Sequence, residues 1–202
     1  MKKNTILFLG DTQWGEQRET PHSISNALLL NYPTCEFSFF YNNSLLNSIE
    51  HINQHNAKDI IGKKAHTIVM SLGWVDIAQN NAFSDILPLL KQLIEHLSHI
   101  SHTKILIATQ AVASYKPGKQ QDLARQFNDH LAKYASKSTI IVDYNEAFNH
   151  FHEKQSLYRS EPHALHYSSA QLTNLGSYLL AQAFLLKMEK NITFTPSLKE
   201  LQ

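Results

Sequence analysis

Short apolar runs alternate along this chain with longer segments in which apolar residues recur every three or four positions. The runs are Ile6–Leu9, Glu36–Tyr41, Thr67–Leu72, Lys104–Thr109 and Thr139–Tyr144. They are largely apolar at consecutive positions, the pattern of strands covered on both faces, as in parallel sheets. Between the third and fourth, Ile86, Leu87, Leu89, Leu90, Leu93, Ile94 and Leu97 make a broad apolar helix face. Gln120–Tyr134 places Leu123, Phe127, Leu131 and Tyr134 on one stripe, and Ser169–Lys187 reads as the last long helix. Pro88 is expected early in its helix, where a missing N–H is tolerated. Strands alternating with helices predict an α/β fold, a parallel sheet with helices on both faces. No repeat or linker interrupts the alternation. The expected organisation is one domain over residues 1–190, followed by a polar tail, 191–202, that drapes over the surface or frays.

Composition narrows the function classes. The chain has 202 residues, enough for one full core and short for two. Eighteen Lys and Arg against 17 Asp and Glu leave a formal charge of +1. So even a balance supplies no field for nucleic acid or an anionic membrane, and neither is expected as a partner. The single cysteine, Cys35, excludes an internal disulfide framework and a multi-thiolate metal site; preceding a strand and without a cationic neighbour in sequence, it reads as an inert buried thiol. The longest apolar stretches run to about seven residues, against the ~20 that a membrane helix needs. Lys2 and Lys3 precede Ile6–Leu9, but that run stops at Gly10-Asp11, too short for a signal peptide. A cytoplasmic protein is expected. The oligomeric state is not legible.

In open parallel sheets, sites lie beyond the carboxyl ends of the strands. Those positions here carry Gly10-Asp11-Thr12, Tyr41-Asn42-Asn43-Ser44, Gly73-Trp74-Val75-Asp76 and Gln110-Ala111. The loop before the last helix holds Glu161-Pro162-His163-Ala164-Leu165-His166.

This order of blocks resembles the GDSL/SGNH hydrolase family. Members carry Gly-Asp-Ser after the first strand, a glycine after the second, Gly-x-Asn-Asp after the third and Asp-x-x-His before the last helix. Here the counterparts are Gly10-Asp11-Thr12, Gly73-Trp74-Val75-Asp76 and His163-Ala164-Leu165-His166, followed by Gly176-Ser177-Tyr178; Asp143 is similar to the family's strand-end aspartate. The resemblance covers roughly residues 5–187. It implies a three-layer α/β/α, flavodoxin-like fold with about five parallel strands. It also implies a hydrolase of small or carbohydrate-linked acyl esters that needs no cofactor or metal.

The family's chemistry uses a nucleophile, a base and an orienting carboxylate. Carried over by position, Thr12 stands for the nucleophile, His166 for the base and His163 for the orienting aspartate. Thr12 keeps the hydroxyl, but its methyl stiffens χ1; the other reading is a helix cap. His163 can accept a hydrogen bond from His166 but supplies no opposite charge, and a neutral group at this place costs ~10⁴ in a serine protease. Glu161 is the nearest carboxylate, at another spacing. Val75 replaces the family's asparagine and cannot donate to an oxyanion, a loss on the order of 10²–10³ in rate; it reads as a packing residue at a strand end. Asp76 reads as structural, an acceptor of backbone N–H groups or a helix cap. Candidates to line the oxyanion or substrate site are Asp11, Asn42, Asn43, Gly73, Trp14 and Trp74, with Ser44 beside Asn43. For the two tryptophans, a sugar-facing wall and a packed loop aromatic are both open. Arg159 is a weak anion contact.

Twelve histidines stand out. His51 with His55, and His96 with His99 and His102, have ligand-like helical spacing, but no HExxH pattern is present; His96, His99 and His102 fall at a helix end, where cations suit the dipole, and both groups read as surface or packing residues. A metal on His163, His166 and Asp11 is the minor alternative. Three functions therefore stand in order: a divergent ester hydrolase, an inactive relative that binds a ligand or protein, and an acyltransferase using the same site.

Overall fold

A computed structural model describes residues 3–10, 14, 19–43, 48–53, 65–79, 83–99, 103–110, 119–144, 146 and 173–194. Five strands form one sheet: β1 (Asn4–Gly10), β2 (Phe37–Asn43), β3 (Thr67–Ser71), β4 (Lys104–Ala108) and β5 (Thr139–Val142). Their order across the sheet is β2-β1-β3-β4-β5, every neighbouring pair parallel. All five lie where the apolar runs predict them. The consecutive burial of β1 and β3 has the expected cause, helices on both faces.

Side chains alternate between the two faces. Leu7, Leu9, Ile68, Met70, Ile105 and Ile107 meet one helical layer, made by α2 (Ile49–His51), α3 (Trp74–Ala78), α4 (Phe83–Ser98) and α5 (Lys119–Leu131). Ile6, Phe8, Val69, Leu106, Ala108 and Val142 meet the other, made by α1 (Glu19–Asn31) and α6 (Asn174–Asn191). The three-layer α/β/α fold is thus as expected.

Three details differ from the sequence reading. Pro88 is the sixth described residue of α4, in its second turn, where its ring removes one i→i−4 hydrogen bond. The last helix starts at Asn174, because the Thr173 hydroxyl accepts the Gly176 N–H at 3.2 Å, and it continues to Asn191. β5 ends at Val142, since the Thr109 hydroxyl takes the Tyr144 N–H at 2.9 Å and turns the chain out of the ladder. Beyond α6, Phe194 is buried edge-on against Tyr32 and Phe37, with ring centroids 5.0 and 5.2 Å away. No described helix is long and apolar enough to cross a membrane.

Candidate active site

The carboxyl ends of β1, β2 and β3 finish level. Gly10, the last residue of β1, pairs with Asn43 on one side and Ser71 on the other. Gly10 is required there by space: a Cβ would overlap the Trp14 ring. Trp14 is fully buried, packed edge-on against Phe8 with centroids 5.8 Å apart.

β3 leaves the sheet through Leu72 and Gly73. Gly73 has φ +108°, a backbone conformation that L side chains rarely adopt, and a Cβ would sit 2.6 Å from the Phe127 ring. From this turn α3 starts at once, with the Ile77 N–H bonded to the Gly73 carbonyl at 3.0 Å. Asp76, almost fully buried in the first turn of α3, accepts the Ile49 N–H on Oδ2 at 3.1 Å. It thereby ties the start of α2 to the third block, the structural role read from sequence. Burial pushes its carboxyl above the usual carboxylate range, against the lowering effect of the Ile49 N–H.

β4 ends in a polar clamp. The Gln110 side chain, fully buried, donates through Nε2 to the Leu72 carbonyl. Asn128 on α5 brackets the Gln110 backbone, accepting its N–H at 2.6 Å and donating to its carbonyl at 2.8 Å. Alongside, Asp143 Oδ1 accepts the Glu146 N–H at 3.1 Å and the Thr109 hydroxyl at 3.4 Å. Burial raises the Tyr144 phenol well above its ordinary value.

Asp11, Thr12, His163 and His166 lie outside the described residues, as do Ser44, His55, His102, Arg159 and Glu161. Of the remaining candidates, Asn42 is half-buried on β2 opposite Leu9, Asn43 closes that ladder, and Gly73 forms the turn. Trp14 and Trp74 belong to the cores on opposite faces of the sheet, so both described rings are packed aromatics. Val75 is buried as expected, but in α3, not at a strand end. His51, His96 and His99 are exposed, and the His99 ring bonds the Glu95 carbonyl at 2.6 Å, at the carbonyl end of α4. Cys35 is half-buried beside the α1–α6 core. Among the described residues no three His, Cys, Asp or Glu side chains come together as a metal site. Sequence reasoning missed the Gln110–Asn128 clamp. Its only trace in sequence is an amide residue at a strand's carboxyl end.

No protein-family model and no curated protein matches the sequence. Solved structures do match the fold. An acetylxylan esterase from Geobacillus stearothermophilus is similar with a TM-score of 0.78 and 18% identity, over 92% of this chain and 94% of that one. The acetyl xylan esterase AlAXEase is similar with a TM-score of 0.77 and 16% identity, over 91% of this chain and 98% of that one. Further structures of the Geobacillus enzyme are catalytic mutants changed at a serine, an aspartate and a histidine. The chain therefore has the SGNH-hydrolase fold that its sequence blocks resemble.

Proposed function

We propose that this protein hydrolyses a small acyl ester, of which an acetylated carbohydrate is the favoured class, using Thr12 as nucleophile and His166 as base. The observation that carries the reading is the likeness, over more than nine-tenths of the chain, to two acetyl xylan esterases. Two features support it. In sequence, Thr12 comes two residues after Gly10, the last residue of β1, which is second in the sheet's order. In the Geobacillus esterase the mutated aspartate and histidine are three positions apart, the spacing of His163 and His166 here.

In this mechanism the Thr12 oxygen attacks the acyl carbonyl carbon while His166 takes the hydroxyl proton, and the carbonyl electron pair moves onto oxygen. Collapse expels the sugar oxygen, which recovers the proton from His166 and leaves an acyl ester on Thr12. Water then gives a proton to His166 and attacks that ester; the acid departs and Thr12 regains its proton. His163 accepts the other His166 N–H and holds its tautomer without adding negative charge. Asp11, Asn42, Asn43 and Gly73 are the candidates to line the oxyanion or substrate site, and the chain works as one domain over residues 1–190.

Purified protein is expected to release p-nitrophenol from p-nitrophenyl acetate. His166→Ala should lower the rate by ~10²-fold or more, as loss of a general base does, and Thr12→Ser should raise it by relieving the crowded nucleophile. Turnover unchanged in His166→Ala overturns the assignment. The buried Val75, unable to donate where the family has asparagine, favours a second reading, a binding protein without turnover. Absence of both turnover and labelling of Thr12 by a fluorophosphonate would favour it.

A further inference from the structure

We infer that Gln110 and Asn128 are positioning residues for this site, holding the Leu72–Gly73 peptide so that the Gly73 N–H is presented as a fixed donor toward the carboxyl end of β1. The catalytic consequence rests on the ester-hydrolysis reading; the geometry stands apart from it. A trans peptide is planar, with C=O and N–H pointing in opposite directions, and no described peptide bond is cis. The Leu72 carbonyl points to Gln110, just beyond β4, and β4 and β1 flank β3 on opposite sides. The Gly73 N–H therefore faces the β1 side, where Gly10 stands level with Ser71. Among the described residues no group accepts it.

The clamp is built to hold one orientation. Gln110 is fully buried, so losing its bond to Leu72 would leave a carbonyl without its partner. Asn128 uses both ends of its side-chain amide on the Gln110 backbone. The neighbouring Phe127 lies where a Gly73 side chain would go. Consecutive residues of α5 thus bear on the same turn, Phe127 by packing against Gly73 and Asn128 by holding the Gln110 backbone whose side chain bonds Leu72. A backbone N–H set in this way supplies an oxyanion donor that Val75 does not.

The experiment compares wild type with Gln110→Met, which keeps length and removes the donor, and with Asn128→Ala, a change at a half-buried position. In isotope-labelled protein, both variants should move the Gly73 amide and Leu72 carbonyl NMR signals and leave those of β2 in place. On p-nitrophenyl acetate, kcat should fall about tenfold with KM nearly unchanged, short of the 10²–10³ that follows outright loss of an oxyanion donor. Unmoved signals in a folded Gln110→Met overturn the clamp. Moved signals with wild-type kcat overturn its catalytic role. A wild type without turnover sinks the esterase reading alone, and the NMR shifts still decide whether the clamp sets Gly73.

Discussion

Gly73→Ala is the sharpest test of the turn that opens the third block. The residue has φ +108°, and a Cβ would lie 2.6 Å from Cζ and 3.0 Å from Cε2 of Phe127. Holding a non-glycine residue in such a region costs about 1–3 kcal/mol. Forcing a methyl against a ring in a packed core costs about 1–3 kcal/mol more. Phe127 is fully buried, so both costs apply, roughly 2–6 kcal/mol together. For a chain of 202 residues each kcal/mol lowers Tm by about 2–4 °C, which predicts a drop of about 4–24 °C. Thermal unfolding followed by circular dichroism reads this directly. The double variant Gly73→Ala/Phe127→Leu should recover the contact share and not the backbone share, giving a coupling of about 1 kcal/mol or more. A Gly73→Ala protein that melts within about 2 °C of wild type would refute the reasoning, since less than 1 kcal/mol would then be at stake.

Two further predictions follow from single contacts. Asp76 has its folded pKa raised by burial, so the stability it contributes is fully present below the unfolded aspartate value and is lost as pH rises through the raised one. Asp76→Asn, whose carbonyl can still accept the Ile49 N–H, should be less sensitive to pH across that window, its standing against wild type improving from acid to neutral; urea midpoints at several pH values would show it, and parallel curves would contradict it. Tyr41→Phe removes the 2.8 Å bond to the Ser25 hydroxyl while that hydroxyl keeps the Pro21 carbonyl at 2.9 Å and the ring keeps its stack on Phe8. The loss should be about 0.5–1.5 kcal/mol in urea unfolding, and a loss of several kcal/mol would mean that the ring stack had also moved.

The five strands were legible because each is covered on both faces, which forces consecutive apolar residues such as Ile6-Leu7-Phe8-Leu9. The helix of Ile86 to Leu97 was legible for the same reason, at a helical period. α1 was harder to see: Thr20, Ser25 and Pro21 are among its buried residues, and two exposed leucines, Leu29 and Leu30, blur its polar face. Asp76 and Val75 took the structural roles their chemistry suggests, acceptor and packing residue. The tryptophans were undecided in sequence, because a strand-end indole reads alike whether its loop folds inward or outward. Trp14 went inward because Gly10 leaves room for its ring.

By itself, the order of apolar runs and turn blocks determined the sheet, its parallel sense and the strand ends to which Thr12 and Gly73 belong. Those features are written in local periodicity, and local periodicity follows from which faces of an element are dry. The tertiary structure alone decided what holds the Gly73 turn. Gln110 meets Leu72 across 38 positions and Asp76 meets Ile49 across 27. No local pattern encodes such a pair. It exists only when strand order and helix placement bring two distant polar groups into one buried space, where each must satisfy the other.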